Sequence, residues 1–272
     1  MHHELMPTWI DTHVHWDAAE FDADRALALQ RARSAGVVSC LNPAVNVAGF
    51  EKVRAIAAAS TQHDDWPRIL PAYGIHPLYV DPATRQDLTT LDQYLSTHRP
   101  VAIGEIGLDA YLGAPDMTKQ QEFFEAQLAL AVQHQLPVLL HVRHAVEAVI
   151  QSLKRVQGVK QRIPGGIAHA FNGSASQAEQ LVRLGFILGF GGSLTYDGST
   201  RIRRLAATLP LTHIVLETDA PDMSPAWLHK TRNESAELPK IAAALASLRD
   251  IDVRVISEQT NHNARQLIPA LV

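Results

Sequence analysis

The side chains of this sequence best suited to chemistry are histidines and carboxylates, and they recur at one kind of position. His13 and His15 are two apart, so on an extended backbone both imidazoles face the same way. His76, Glu105, His141, His169 and Asp219 each stand at or just beyond a short apolar run. Neutral imidazole and carboxylate suit Zn, Mn, Ni, Co or Mg, and no thiolate accompanies them. Singly, each has a plain structural reading: a buried histidine pair, a helix cap, an ion pair. Together, His13, His15, Glu105, His141, His169 and Asp219 exceed what one catalytic ion takes while leaving a place for water. Two divalent cations sharing a bridging carboxylate account for the set better, and such a pair activates water and neutralises developing phosphoryl charge. That chemistry is hydrolysis.

Residues so far apart can meet only if the elements between them are regular. Short apolar runs at 9–11, 37–41, 69–73, 101–104, 138–140, 166–168, 186–188 and 214–216 read as strands buried on both faces. Between them lie stretches of helical spacing, such as Leu238, Ile241, Ala242, Leu245 and Leu248, or Phe124, Leu128 and Ala131. Gly36 and Gly185 read as helix stops, and Ser174 or Ser176 as the N-cap of the sixth helix. Eight such units form an open doubly wound sheet or a closed (β/α)8 TIM barrel. The first strand leads into Asp11-Thr12-His13-Val14-His15, not a glycine-rich dinucleotide loop, so the α/β barrel is preferred. Its C-terminal mouth gathers the strand-end residues. One domain over 1–272 is expected, with a terminal helix near 253–268 packed outside the barrel.

Composition narrows the classes. The chain is 46% apolar and 19% charged, which excludes intrinsic disorder. No apolar run approaches the roughly 18 residues of a membrane helix, and the N-terminus lacks the pattern of a leader. A single cysteine, Cys40, excludes an internal disulfide and fits a cytoplasmic location. The net charge of −4 argues against a broad electrostatic grip on nucleic acid.

Six motifs in order, from about residue 9 to residue 263, carry a resemblance. Asp11-Thr12-His13-Val14-His15-Trp16-Asp17 and Gly74-Ile75-His76-Pro77 are followed by Gly104-Glu105-Ile106-Gly107-Leu108-Asp109. Leu139-Leu140-His141-Val142-Arg143, His169-Ala170-Phe171-Asn172-Gly173-Ser174 and Leu216-Glu217-Thr218-Asp219-Ala220-Pro221 complete the set. As a set they resemble the TatD-type metal-dependent deoxyribonucleases, barrel hydrolases with two or more divalent ions. The resemblance implies that His13, His15 and Asp219 hold one ion and His141 and His169 the second. It further implies that Glu105 bridges the two and that His76 meets the substrate phosphate. Val14 stands where many members have cysteine, and Ser235 where the family often has proline. A related superfamily bridges its ions with a carboxylated lysine. Here Lys52, Lys119, Lys154, Lys160, Lys230 and Lys240 all fall in helix or loop patterns, which leaves Glu105 as the bridge.

Asp219 is the candidate base toward the attacking water, and His76 the donor to a phosphate oxygen. Arg143 and Arg232 are the phosphate candidates, since a planar guanidinium matches phosphate at two points. Arg201, Arg203 and Arg204 read as a solvated helix face, Trp16 as packing at the mouth, and Tyr196 is left open. The expected substrate is a short single-stranded DNA, trimmed 3′→5′, or another phosphodiester. The acidic net charge keeps a small ester, amide or aminoacyl substrate as the alternative, and a non-catalytic metal-binding barrel as a remote one. A monomer or weak oligomer without a membrane partner is expected.

Overall fold

The computed structural model describes residues 6–111, 113, 116–157 and 162–272. Lys160 and the first five residues, on which the leader reading rests, lie outside the described residues. The strands are β1 (Trp9–Asp11), β2 (Val37–Pro43), β3 (Arg68–Tyr73), β4 (Ala102–Asp109), β5 (Val138–Arg143), β6 (Gly166–Ala168), β7 (Phe186–Phe190) and β8 (Ile214–Leu216). All are parallel and pair in chain order from β1 to β8. The ring closes where Val14 bridges Ala220 and Thr12 N–H donates to the Leu216 carbonyl at 3.1 Å. The (β/α)8 barrel is therefore the architecture.

Outside it lie α1 (Arg25–Ser34), α2 (Phe50–Ala59), α3 (Arg85–His98), α4 (Met117–His134), α5 (Val146–Val156), α6 (Ala175–Arg183), α7 (Thr200–Thr208), α8 (Leu238–Arg249) and α9 (Val253–Leu267). Their apolar faces, including Phe124 and Leu128 of α4 and Ile241 and Leu245 of α8, are buried in one cluster with the sheet. Ser174 caps α6 in a reciprocal box with Gln177, as its sequence position suggests. Gly36 and Gly185 both sit at φ +91° directly after α1 and α6, where a side chain would be strained. No helix among the described residues is long and apolar enough to cross a membrane.

Two departures from the sequence reading bear on the site. β4 does not end before Glu105 but runs on to Asp109, all eight of its residues buried. Ile103 pairs with Val138 and Ile106 with Leu140, so three steps on β4 face two on β5. The resulting bulge re-aims the backbone at Glu105. The glycines and carboxylates of this stretch interrupt the apolar run, which is why the strand reads too short. The terminal helix α9 packs outside the strand ring, at a place that the sequence did not indicate. It lies across the N-terminal end of the barrel, where Ser257 and Asn261 donate to the Thr8 carbonyl and Asn261 Oδ1 accepts from Ile10 N–H. Ala264, Ile268 and Leu271 then join the barrel-interior residues Ile10, Leu41, Leu139, Ile167 and Val215 in one buried cluster. Each large aliphatic side chain there contributes about 1.5–3 kcal/mol by leaving water. The chain end thus plugs the floor of the barrel, and the opposite end stays open.

Candidate metal centre

The open C-terminal mouth is a cavity of about 1300 Å³ with His15, His76, Glu105, His141, His169 and Asp219 on its wall. Glu105 is the hub. Its Oε2 lies 3.1 Å from His13 Nε2 and 3.5 Å from His15 Nε2. Its Oε1 lies 2.8 Å from His141 Nδ1, 3.6 Å from His76 Nε2 and 4.0 Å from His169 Nε2. Asp219 faces the same group from β8, with Oδ1 3.6 Å from His15 Nε2 and Oδ2 3.6 Å from His169 Nε2. Asp219 adopts φ +57°, held by its N–H on the His13 carbonyl at 2.8 Å. An aspartate tolerates this left-handed backbone better than most residues. Three groups, His13–His15–Asp219, His13–Glu105–His169 and His76–Glu105–His141, each bring one ligand atom per residue within 4.8 Å of one another.

The far side of each imidazole decides what its near side offers. His15 Nδ1 faces the Pro43 carbonyl at 3.2 Å, His141 Nε2 faces Asp109 at 3.1 Å, and His169 Nδ1 faces Glu217 at 3.0 Å. At His15 and His141 the neutral ring spends its single N–H on that acceptor, which turns the lone pair of the other nitrogen toward Glu105 and Asp219; His169 Nδ1 is only in ion-pair range of Glu217, and His13 Nδ1 is buried without a hydrogen-bond partner among the described residues. Lone pairs facing carboxylate oxygens across 3–4 Å need positive charge between them. Among the described residues no lysine or arginine pairs with Glu105, Asp109, Glu217 or Asp219. The donor set therefore fits a divalent cation of the kind that prefers nitrogen and oxygen. His76 is turned the other way. Its Nδ1 accepts from Leu78 N–H at 3.1 Å, so in the neutral ring the proton sits on Nε2 and points into the site.

In the protein alone, protonated imidazoles balance the carboxylates instead. Burial raises Asp219 to about 6 and lowers His13 and His76 to about 3. Burial also opposes charge on His15 and His169. The Glu105 and Asp219 carboxylates around the first, and Glu217 and Asp219 around the second, outweigh it and raise them to about 9 and about 10. Glu105, although fully buried, is held well below the usual carboxylate range by His13 and His76.

Of the other residues singled out by sequence, Arg143 lines the cavity, its guanidinium stacked 3.8 Å over the Tyr111 ring. Arg232 does not. It is bound to Asp24, Glu234 and the Glu20 carbonyl and lies over Phe21, an arrangement that leaves little of its fork for a phosphate. Trp16 is fully buried against Phe21, and the Tyr196 hydroxyl is held by the Ser224 carbonyl. Arg201, read as part of a solvated face, lines the cavity. Asp109 and Glu217 were not given roles by sequence reasoning. The signal existed: Asp109 follows Glu105 by four residues in β4, and Glu217 precedes Asp219 by two just beyond β8.

A family model described as TatD related DNase matches residues 10–269. The chain is 36% identical to the Escherichia coli (strain K12) protein YjjV, an uncharacterised metal-dependent hydrolase, over 89% of this chain and 90% of the other. It is 31% identical to the 3′-5′ ssDNA/RNA exonuclease TatD of Pantoea sp. (strain At-9b), over 94% of this chain and 98% of the other. The crystal structure of YjjV superposes with a TM-score of 0.89 at 34% identity, covering 96% of this chain and 98% of that one. With a family model matching nearly the whole chain, a barrel of this topology and a cluster of candidate metal ligands at its mouth, the chain belongs to the TatD-related DNase family.

Proposed function

We propose that this protein is a divalent-metal-dependent phosphodiesterase that trims single-stranded DNA or RNA from its 3′ end. The whole chain, 1–272, acts as one catalytic domain in the cytoplasm, as a monomer or weak oligomer. The observation that carries the reading is the convergence of imidazole lone pairs on Glu105 and Asp219 without a lysine or arginine among the described residues to balance them.

His13, His15 and Asp219 would hold one ion and His141 and His169 a second, with Glu105 between them; Zn, Mn, Ni, Co and Mg all suit these donors. Bound divalent ions supply Lewis-acid polarisation of the scissile phosphate and acidify a water molecule. Asp219 accepts the proton of the attacking water. Its side chain is 14% exposed, against 3% for Glu105 and 1% for Glu217, so of the three it is the most open to the cavity. His76 Nε2–H donates to a non-bridging phosphate oxygen, a hydrogen bond that strengthens as charge builds there. Asp109 and Glu217 orient His141 and His169. Arg143, braced on Tyr111, contacts a phosphate at the rim.

Metal analysis of the wild type and Glu105→Ala, with nuclease activity measured on the same samples, tests the reading. Loss of metal together with loss of nucleotide release supports it; a metal-loaded wild type inert on every oligonucleotide refutes it. A second reading, hydrolysis of a small ester or amide at the same site, is favoured by the net charge of −4. It gains if metal-loaded protein turns over only uncharged esters or amides.

A further inference from the structure

Charge is unevenly placed around the rim of the cavity. On the side of β5, β6 and β7 stand Arg143, at the end of β5, and Arg201, in the first turn of α7, the two arginine or lysine side chains among the described cavity-lining residues; that side carries one carboxylate, Glu147 of α5. On the side built by the loops after β1 and β8 stand Asp17, Glu20 and Asp222. Many arginines among the described residues are paired with carboxylates, Arg25, Arg31, Arg54, Arg155 and Arg232 among them. No such pair is made by Arg143 or Arg201 among the described residues.

Arg201 is nevertheless held in place. Its Nε donates to Asn172 Oδ1 at 2.9 Å, and Asn172 lies three residues beyond His169 in the loop that leads to the α6 N-cap. The restraint takes one N–H of the fork and leaves the two Nη groups at the cavity wall. Arg143 is braced differently, by stacking on Tyr111. A guanidinium fixed through its Nε or its face loses less freedom on binding a phosphate than a loose one.

We propose that Arg201, fixed by Asn172, binds a backbone phosphate beyond the scissile one. The polynucleotide strand then leaves the site over the β5–β7 side, while Asp17, Glu20 and Asp222 repel any strand continuing over the β1–β8 side. This rests on the phosphodiesterase reading above and deepens it. The substrate class is a strand end with one charged flank, which is what end trimming requires and what an internal or circular segment cannot offer. It also accounts for an acidic protein acting on an acidic polymer, since the grip is local to one sector of the rim.

The test compares wild type, Arg201→Ala and Arg201→Lys on a dinucleotide, with one phosphodiester, and on a single-stranded tetranucleotide. Arg201→Ala lowers kcat/KM on the tetranucleotide about tenfold, mainly through KM, and at least five times more than on the dinucleotide; Arg201→Lys recovers part of the loss. Binding of a fluorescent single-stranded octanucleotide is measured on the same proteins as a function of salt. Loss of one phosphate contact reduces the slope of log K against log salt by about 0.7. Equal losses on both substrate lengths, or an unchanged salt slope, overturn the assignment of Arg201. If no oligonucleotide is cleaved by metal-loaded wild type, the phosphodiesterase reading falls. The salt slope then still decides whether Arg201 binds a phosphate.

Discussion

His169 stands between two carboxylates, its Nδ1 3.0 Å from Glu217 Oε1 and its Nε2 3.6 Å from Asp219 Oδ2. Glu217 is 1% exposed, and the same Oε1 accepts from Ala170 N–H at 2.6 Å. Room for it is made on β7, where a Cβ at Gly189 would come within 2.1 Å of Glu217 Oε2. A carboxylate behind a metal-binding imidazole fixes its tautomer and raises its basicity, and its loss typically costs 10–100-fold in metal affinity. Glu217→Gln is expected to weaken metal binding by about that factor, read by titrating metal-stripped protein. An affinity equal to wild type would assign Glu217 to packing alone.

Asp219 is asked to do two things, to hold an ion and to take a proton. Asp219→Asn keeps an oxygen ligand and removes the base, so at least one ion stays bound while kcat falls about 10²–10⁴-fold. Metal content and single-turnover rate on the same preparation separate the two roles. Unchanged turnover would place the base elsewhere.

His76 and His141 are close, with His76 Nε2 3.1 Å from His141 Nδ1, yet their ring orientations give them opposite roles. Asp109 turns a lone pair of His141 into the site, whereas Leu78 N–H turns a proton of His76 into it. His76→Ala should therefore leave metal stoichiometry intact and lower kcat/KM by roughly 10–100-fold, the range of one hydrogen bond to a charged group. If one equivalent of metal is lost instead, His76 is a ligand.

The barrel and the gathering of histidines and carboxylates at its mouth were legible in the sequence because both depend on period. Apolar runs recurred about every thirty residues, and the reactive side chains kept one position relative to them. What escaped was whatever interrupts that period or comes from an unrelated part of the chain. The bulge between Ile103 and Ile106 carried β4 past Glu105, and the polar residues that make Asp109 useful also made it look like a loop. The plug formed by α9 is amphipathic in the ordinary way, and nothing in its own pattern distinguishes an outer wall from a barrel floor. Arg201 and Arg232 are alike as isolated residues. Only the tertiary partners, Asn172 for one and Asp24 with Glu234 for the other, set one at the cavity and tie the other into an ion-pair network.

That difference yields a prediction about Arg232. The Arg232 and Arg31 guanidinium groups beside Asp24 hold its carboxyl well below the usual range. Burial pushes Glu234 up, but hydrogen bonds from Arg31 and Arg232 outweigh it and leave its pKa lowered. A carboxyl whose folded pKa is depressed contributes stability above its unfolded pKa, and the contribution is lost as pH falls through the folded pKa. Arg232→Ala should therefore lower the Tm at pH 7. The gap from wild type should narrow as pH is taken below about 4, where the same carboxyls begin to protonate in the unfolded chain while the folded wild type still holds them ionised. Activity at neutral pH should change little at temperatures where both proteins are folded, since the guanidinium is committed to Asp24 and Glu234 rather than to the cavity. Thermal melts across this pH range, with kcat/KM on an oligonucleotide at pH 7, check both halves. A tenfold loss of kcat/KM without loss of stability would restore Arg232 as a phosphate ligand, and would require the Asp24–Glu234 network to open when substrate binds.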